Sequence, residues 1–295
     1  MKNFLLYLFK IVLITLSIMV VFDALYTYIY SNTIPVNKSQ YVLQTKNKTI
    51  DYVFLGSSRV ENHIVTELVE KQTSKKAINL GEQGAKLSDT YLLLKLLVAN
   101  KVSFKKVFIQ VDYNFNNENS SVNIVSESLP YIRTNNVIQD HNKNFNSDYF
   151  SNFYIPFYRF AAFDYKIGFR GFFSALVKNK TPYDFENGFD GRNGAFDNAE
   201  YALPLKISDR NKVFDSIKKF CSEKNLDVVF YCSPFCNQVA KSNYVKHLKH
   251  KIPELKDYSK AILDNKYFIN CGHLNEDGAK LFTQMIIDDC IKNEK

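Results

Sequence analysis

The chain has 295 residues, of which 46% are hydrophobic, 15% aromatic and 23% charged, with 10 Gly, 7 Pro and no Trp. This composition excludes a disordered, collagen-like or low-complexity chain, and the length allows one or two domains with a sizeable core. Lys and Arg outnumber Asp and Glu by 38 to 30, and the net charge of +8 is spread along the chain, so no arm for nucleic acid is predicted.

The first 30 residues predict a transmembrane anchor. From Phe4 to Phe22 only Lys10 is charged, and a helix of this length crosses the ~30 Å hydrocarbon layer. Lys2 and Lys10 precede or open the run, whereas the next basic residue is Lys38, so the charge bias puts the N-terminus in the cytoplasm. A cleaved secretory signal is the alternative, and it is disfavoured because no small-x-small site follows the run. Both interpretations export the rest of the chain.

Residues 31–49 are predicted to be a linker and residues 50–295 an exported α/β domain. Short apolar runs, typical of buried strands, alternate with longer segments of helical period. The predicted strands are Tyr52–Leu55, Ala77–Leu80, Lys106–Val111 and Asp227–Tyr231, and the predicted helices are Ser88–Val98 (capped by Ser88 or Asp89), Ser208–Lys224 and Glu276–Ile291. This alternation predicts a three-layer sandwich, with a parallel sheet between helices and a site at the carboxyl ends of the strands.

The segment from about 116 to 205 departs from this alternation and is rich in Asn and aromatic residues. We expect an inserted helical lid or flap here. Its stretch from Ser147 to Val177 interleaves Phe and Tyr with Arg159, Lys166 and Arg170, a pattern that suits a membrane surface or the cover of a substrate groove. Packing of the aromatic side chains into the core is the favoured alternative, because large apolar side chains are usually buried.

Two short motifs carry the candidate chemistry. The first predicted strand ends in Gly-Ser-Ser-Arg at 56–59. A serine in a sharp turn from a strand into a helix is exposed beside helix N–H groups that can stabilise an oxyanion, although Ser57 or Ser58 could instead be a simple helix cap. Near the other end, Asn-Cys-Gly-His at 270–273 puts His273 in the loop before the last predicted helix.

Together the two motifs resemble the SGNH hydrolase (GDSL-like esterase) superfamily, and more narrowly its membrane-anchored bacterial branch acting on cell-surface polymers. The family's Gly-Asp-Ser block corresponds to Gly-Ser-Ser at 56–58, which makes Ser58 the nucleophile. Its second block, with a Gly whose N–H joins the oxyanion hole, corresponds to residues 79–85 and favours Gly84. Its last block matches His-Leu-Asn-x-x-Gly-Ala from His273 onward. The resemblance spans about residues 52–282 and rests on these short blocks.

One departure from the family pattern concerns the partner of the histidine. Asn270 stands where the family has its Asp, three residues before His273. A neutral amide cannot stabilise an imidazolium as a carboxylate does, and in a serine protease this change costs ~10⁴ in rate by holding the wrong tautomer. Asp257 or Asp264 could reach His273 instead, or a Ser–His dyad could suffice.

A second departure concerns the oxyanion hole. In the family's third block, usually Gly-x-Asn-Asp after a strand, Asp112 stands where the oxyanion-hole Asn would be. An ionised carboxylate there would repel an oxyanion. Asn114 is the expected substitute donor.

Three of the five cysteines fall near the same predicted edge of the sheet. In an exported chain any two could be oxidised, and we expect Cys232–Cys236 or Cys232–Cys271 first. A zinc site is not expected, because Cys-x₃-Cys lacks a matching second pair.

The motifs and the resemblance lead to one expected function and one rival. We expect a membrane-anchored serine esterase or O-acyltransferase that acts on acyl esters, acetyl esters first among them, of an extracytoplasmic polysaccharide or a small ester. Ser58 attacks, His273 carries the proton, and Gly84 with the Ser58 N–H holds the oxyanion, without metal or organic cofactor. The resemblance places the chain in a bacterial inner membrane as a single-pass protein, its domain periplasmic or extracellular, with a membrane-bound acyltransferase as candidate partner. The rival is a non-catalytic partner of the same fold in a cell-surface glycan modification or export complex.

Overall fold

A computed structural model describes residues 1–177, 181, 183–199, 201–240 and 243–292. The chain forms two compact units. The anchor unit comprises Met1–Gln40 and Val122–Pro182, and the sheet unit comprises Tyr41–Ser121 and Tyr183–Lys295.

The regular elements alternate in the sheet unit and are almost wholly helical in the anchor unit. The strands are β1 Tyr52–Gly56, β2 Ala77–Gly81, β3 Lys106–Gln110, β4 Val228–Cys232, β5 Lys256–Asp257, β6 Phe268–Asn270 and β7 His273–Leu274. The helices are α1 Lys2–Asn32, α2 Lys38–Gln44, α3 Ser58–Glu61, α4 Thr66–Thr73, α5 Leu87–Ala99, α6 Val122–Ser128, α7 Asn136–Phe145, α8 Tyr149–Tyr154, α9 Tyr158–Ala162, α10 Asp164–Ile167, α11 Phe169–Val177, α12 Lys212–Glu223, α13 Asn237–Ala240, α14 Tyr244–Lys251 and α15 Glu276–Ile287.

The sheet unit is built on a parallel sheet of five strands in the order β2-β1-β3-β4-β5. The three strands β1, β2 and β3 are buried along their whole length, which explains why they read as continuous apolar runs rather than alternating ones. The predicted parallel α/β sheet is confirmed.

Helices cover both faces of this sheet. Neighbouring residues of a strand point to opposite faces, and in β4 the ring of Phe230 contacts Phe214 of α12, whereas the ring of Tyr231 contacts Phe282 of α15. Helices α12 and α15 therefore lie on opposite sides of the sheet, which gives the predicted three layers.

Two helices begin elsewhere than predicted because of their caps. The Asp89 carboxylate accepts a hydrogen bond from the Lys86 N–H at 2.8 Å, so α5 begins at Leu87, and neither Ser88 nor Asp89 is the N-cap residue. Helix α12 begins at Lys212, four residues later than predicted, because the Asn211 side chain caps it by accepting from Phe214 N at 2.8 Å.

The predicted division of the chain differs from the observed one. The segment expected to be a linker, 31–49, contains helix α2. The insertion expected at about 116–205 contributes Val122–Pro182 to the anchor unit, while Tyr183 onward belongs to the sheet unit. Sequence alone could not reveal this division, because α1 joins the helices of the insertion through side chains that look like ordinary members of an apolar run.

A buried carboxylate of α1 binds this helix to the other helices of the anchor unit. Asp23 of α1 is 6% exposed and accepts hydrogen bonds from both terminal nitrogens of Arg159 at 2.7 and 2.9 Å, from Arg133 at 2.9 Å and from the backbone N–H of Phe157 at 2.7 Å. One turn further on, the ring of Tyr26 stacks on Phe172 with centroids 4.0 Å apart. The last turns of α1 are thus part of the core of this unit.

One helix among the described residues, α1, is long and apolar enough to span a membrane or to be a signal sequence. Its apolar side chains from Phe4 to Phe22 are almost all exposed in the isolated chain.

The aromatic residues of the insertion divide into two sets. Phe160 is fully buried, as the core interpretation expected, whereas others, Phe169 and Phe173 among them, are exposed.

Candidate active site

The site begins at the sharp turn from β1 into α3. Gly56 ends the strand, and a Cβ there would lie 2.5 Å from Val60 and 2.8 Å from Gln110, so only glycine allows the chain to turn this tightly. Ser57 is the N-cap residue of α3, and its hydroxyl also donates to the Gln110 side chain at 2.9 Å. Because Ser57 takes the capping role, the hydroxyl of Ser58 is free for another partner.

That partner is His273. The Ser58 Oγ lies 2.8 Å from His273 Nε2, although 215 residues separate the two in sequence. Ser58 lies at the carboxyl end of the sheet, as the sequence predicted, but it is half-buried rather than exposed. The fold therefore brings together the two residues singled out as nucleophile and base.

A small antiparallel hairpin, which the sequence did not predict, orients the histidine. Strands β6 and β7 pair Asn270 directly opposite His273, with Cys271 and Gly272 forming the turn between them. The Asn270 Oδ1 lies 3.1 Å from His273 Nδ1 and accepts the Gly272 N–H at 2.9 Å. Asn270 thus occupies the place of the third member of a triad.

The hydrogen bond from Gly272 also fixes the tautomer of His273. An atom that accepts a backbone N–H must be the amide oxygen, so Asn270 presents its oxygen, not its nitrogen, to His273 Nδ1. Nδ1 then carries the proton and Nε2 presents its lone pair to the Ser58 hydroxyl. The expected risk of a wrong tautomer does not arise in this geometry.

The two carboxylates considered as substitutes lie elsewhere. Asp264 caps the turn before β6, accepting from Lys266 N at 3.0 Å, and Asp257 accepts from Ser259 N at 2.9 Å; both are exposed. Among the described residues His273 Nδ1 bonds to Asn270 and to no carboxylate. The expectation that Asp257 or Asp264 might orient His273 is therefore wrong.

The surroundings of His273 disfavour its charged form. Burial, together with the positive charges of Arg59 and Arg192, lowers the pKa of His273 to about 4. The imidazole is therefore neutral at neutral pH, which is the state a general base requires. The imidazolium formed during a reaction would in turn receive little stabilisation.

The expected oxyanion donors are available. Within the described residues, the N–H groups of Ser58 and Gly84 donate no hydrogen bond to another protein group. Gly84 has φ +73°, a conformation that favours glycine, and open space surrounds the position of a Cβ. The buried Asn114 amide donates a long hydrogen bond of 3.4 Å to Ala85 O, next to Gly84, and its Oδ1 has no partner.

Asp112 does not act as a bare negative charge. Its Oδ2 accepts from Arg59 Nη1 at 2.8 Å and from the Gln110 side chain, and its Oδ1 accepts from Asn114 N at 2.9 Å. Both charged side chains are buried, at 0% and 1% exposure. The expected repulsion of an oxyanion by Asp112 is therefore offset by the guanidinium beside it.

Arg59 is a residue of the candidate site that sequence reasoning missed. Its Nη2 donates to the carbonyl groups of Ser233 and Pro234 at 2.8 and 2.7 Å, and the guanidinium lies 3.6 Å from the centre of the Phe235 ring. It links the turn that carries Ser58 to the loop after β4. The one available signal was its position directly after Ser58.

His63 was likewise missed. It is fully buried, and its Nε2 accepts the Leu274 N–H at 3.1 Å, next to His273. Burial lowers the pKa of His63 well below its usual range. It is thus a neutral acceptor that positions strand β7.

The disulfide joins Cys236 to Cys271, with Cα atoms 4.6 Å apart. Both predicted pairings, Cys232–Cys236 and Cys232–Cys271, are wrong. Cys232 ends β4 with its side chain buried in the sheet, whereas Cys236 lies in the loop beside the hairpin, where its N–H donates to Cys271 O at 3.2 Å. The bond ties the hairpin of His273 to the segment that holds Arg59.

Two further features bear on ligands. Among the described residues no group of three or more His, Cys, Asp and Glu side chains could hold a metal ion. A cavity of about 470 Å³ lies at the amino end of β2, where Glu67, Glu70, Ala77 and Glu186 contribute to its wall, and it includes none of the site residues.

Comparison with known proteins gives little further guidance. No family model and no curated protein matches the chain. A solved structure from Streptococcus pneumonia, described as a candidate platelet activating factor, is similar at 12% identity and a TM-score of 0.38, covering 95% of this chain and 98% of its own. A TM-score this low supports no inference about activity.

Proposed function

We propose that the chain is a membrane-anchored serine esterase or O-acyltransferase that acts on ester-linked acyl groups. The observation that carries this proposal is the contact of 2.8 Å between Ser58 Oγ and His273 Nε2, in which Asn270 holds the histidine in the tautomer of a general base. A serine, a histidine base and an orienting acceptor are the elements that activate a serine nucleophile.

In the proposed reaction the Ser58 Oγ attacks the acyl carbonyl, while His273 Nε2 takes the proton from the Ser58 hydroxyl. The tetrahedral oxyanion is held by the N–H groups of Ser58 and Gly84, with the Asn114 amide as a further donor. His273 returns the proton to the leaving alcohol, and an acyl ester on Ser58 remains. Water or a sugar hydroxyl then attacks this ester by the reverse sequence, which gives hydrolysis or transfer.

The proposed site is weaker than a full triad. The amide oxygen of Asn270 orients His273 but supplies no negative charge, while burial and two arginines oppose protonation of the ring. Lowering the pKa of His273 by one makes formation of the imidazolium about 1.4 kcal/mol less favourable. We therefore expect slow turnover with correct geometry.

We propose further that α1 is retained as an anchor rather than removed as a signal. Cleavage at about Ser31, past the aromatic residues that end α1, would take away Asp23, the carboxylate that receives the buried guanidinium of Arg159. It would also remove Tyr26 and Tyr30, which are each 5% exposed and belong to the core of the anchor unit. An uncompensated buried arginine costs about 3–5 kcal/mol, so the anchor unit requires α1.

The finer parts of the proposal rest on the resemblance of the sequence blocks. They are an extracytoplasmic polysaccharide as acyl donor or acceptor, a bacterial inner membrane with the N-terminus in the cytoplasm, and a membrane-bound acyltransferase as partner. The Cys236–Cys271 disulfide supports an oxidising compartment for the sheet unit.

The test is covalent labelling of the full chain in detergent with a fluorophosphonate probe, followed by location of the adduct. We expect the adduct on Ser58, and we expect Ser58→Ala to abolish both labelling and p-nitrophenyl acetate turnover. Ser58 caps no helix, so the thermal midpoint should stay close to that of the wild type. Ser57→Ala should lose stability through the cap and retain labelling.

Ser216→Ala, a change at an exposed serine of α12, is the matched control and should behave as the wild type. A wild-type chain that takes up no probe and turns over no ester would sink the proposal and favour the non-catalytic rival. An adduct on another serine would overturn the assignment of Ser58.

A further inference from the structure

Helix α11 of the anchor unit exposes an apolar stripe. Phe169, Phe173, Leu176 and Val177 follow the spacing i, i+4, i+7, i+8 that places side chains on one helix face, and each is more than half exposed. In α8, Phe150 and Tyr154 form a second exposed pair four residues apart, with ring centroids 5.0 Å from each other. We call the four residues of α11 the exposed aromatic face.

The opposite side of α11 is fixed to the end of α1. Phe172 stacks on Tyr26, a Cβ at Gly171 would lie 2.5 Å from the Tyr30 hydroxyl, and Thr33 Oγ1 donates to Ala175 O at 2.7 Å. The apolar stripe is therefore the outward side of a helix whose inward side packs against α1.

The length of α1 sets the level of this face relative to a bilayer. A helix of 31 residues is about 46 Å long, roughly 16 Å more than the hydrocarbon core of about 30 Å. If Phe4–Phe22 occupies the core, the first turn after it, from Asp23 to Tyr26, lies in the headgroup layer, which is about 5–7 Å thick on each side. Phe172 of α11 stacks on Tyr26 in that turn, so the neighbouring Phe169 and Phe173 lie where aromatic residues favour the membrane interface.

The charges near the face suit the same environment. Asp23, at the end of the apolar run, is neutralised by Arg133 and Arg159 and presents no bare carboxylate to lipid. Arg170, next to Phe169, is exposed and can reach lipid phosphates while the aromatic rings enter the acyl boundary. Continuity with the span, and not exposure alone, identifies the occupant as lipid.

We infer that the exposed aromatic face is inserted into the phospholipid leaflet from which α1 emerges, so that the protein is held by a span and by the interfacial helix α11 together. The inference rests on α1 being the retained anchor proposed above. It does not depend on the chemistry at Ser58.

The absence of Trp from the chain permits a direct test with single-Trp variants of the full chain. We would reconstitute Phe173→Trp in vesicles of phosphatidylcholine and phosphatidylglycerol, with bromine on the acyl chains close to the headgroups or deep in the core. Leu205→Trp is the matched control, because Leu205 is an apolar side chain of the sheet unit that is 99% exposed. Leu13→Trp reports on the span itself.

We expect Phe173→Trp to emit at shorter wavelength than Leu205→Trp and to lose most of its emission to shallow bromines. Leu13→Trp should be quenched by deep bromines, and Leu205→Trp by neither. Deep quenching of Leu13→Trp together with water-like, unquenched emission from both Phe173→Trp and Phe169→Trp would overturn the inference and leave a protein partner as the occupant. Absence of quenching in Leu13→Trp would overturn the inference as well, because α1 would then not span the bilayer.

Discussion

Both units bury an arginine against an aspartate, and the two clusters are built differently. In the sheet unit Arg59 and Asp112 form a single pair, and both side chains are withdrawn from solvent. In the anchor unit one carboxylate, Asp23, receives two guanidinium groups, that of buried Arg159 and that of Arg133, whose side chain is 29% exposed. The first cluster is balanced in charge, and the second has a surplus of one positive charge.

The difference shows how each cluster can be changed. In the balanced pair the loss of either partner leaves a full charge without compensation in the interior. In the anchor cluster the pKa of Arg159 is lowered to about 10, because burial and the charge of Arg133 outweigh the opposing effect of Asp23. The more exposed Arg133 can be solvated instead. The sheet cluster also holds the turn that carries Ser58, so a change there reaches the site.

The largest expected effect comes from breaking the balanced pair with Asp112→Asn. This change leaves the Arg59 charge buried without a carboxylate, and it should lower the free energy of unfolding by about 3–5 kcal/mol. Turnover should fall as well, because Arg59 joins the Ser58 turn to the loop after β4. Thermal unfolding and p-nitrophenyl acetate turnover of the full chain in detergent measure the two effects.

The double variant Arg59→Met with Asp112→Leu is the control for this prediction. It removes both charges, and it should be more stable than Asp112→Asn alone because no charge remains uncompensated. Equal losses in the single and double variants would contradict the pairing of these two residues.

The next effect in size is a gain from Asn270→Asp, which adds a charge where the site lacks one. The new carboxylate can keep both hydrogen bonds that Asn270 Oδ1 accepts, and within the described residues Asn270 Nδ2 makes none that would be lost. Since the tautomer is already correct, the gain in kcat should be about 10- to 100-fold, less than the ~10⁴ reported for a wrong tautomer. Asn275→Asp, at the cap of α15, is the control.

The pH profile sharpens the same prediction. The neutral ring is the active form of a base, so activity should be present above the pKa of His273 and lost as the pH falls through it. With that pKa lowered to about 4 by burial and by Arg59 and Arg192, the wild type should stay active well below pH 6. Asn270→Asp should move the acidic limb to higher pH. An unmoved limb would mean that another group limits the rate.

The smallest effect should come from Arg133→Gln, which removes the surplus charge of the anchor cluster. Asp23 keeps both hydrogen bonds from Arg159 and that from Phe157 N, whereas Arg133 also loses its bonds to Phe153 O and Ile155 O, so the cost should be about 1–2 kcal/mol. Asp23→Asn, which leaves Arg159 uncompensated, should cost more. Hydrogen exchange of the backbone amides in α9 and α11 compares the two, and equal protection in both variants would contradict the unequal roles of the two arginines.

The sheet unit was largely predictable from sequence. Its strands β1 to β4 are short apolar runs, and the parallel sheet that they imply puts the ends of β1 and of the segment before α15 at one edge. The pairing of Ser58 with His273 came from the resemblance of the two motifs to a known family, and this edge is where the serine was expected. The choice between Asn270 and a distant Asp could not be made, because it depends on the unpredicted hairpin that sets Asn270 opposite His273.

The anchor unit was less predictable beyond α1. Its helices α8, α9 and α10 have only 4–6 residues, too few to show a helical period, and aromatic residues occur on both their buried and exposed sides. Arg59 escaped notice for a different reason. An arginine in a sequence is normally read as a surface residue, and only the position of Asp112 in space reveals that it is buried.

The Cys236–Cys271 disulfide makes the position of His273 depend on the oxidation of two thiols. Cys271 stands between Asn270 and His273, and its bond to Cys236 closes a loop with a sequence separation of 35 residues, a constraint worth about 3–4 kcal/mol by loop entropy. Without the disulfide the hairpin is held by its own hydrogen bonds, by the bond from Leu274 N–H to His63, and by those from Cys236 N–H to Cys271 O and from Asp197 N–H to Ile269 O. A chain in which Cys236 and Cys271 are still reduced lacks this constraint, so we expect His273 to be held less firmly beside Ser58 than after oxidation.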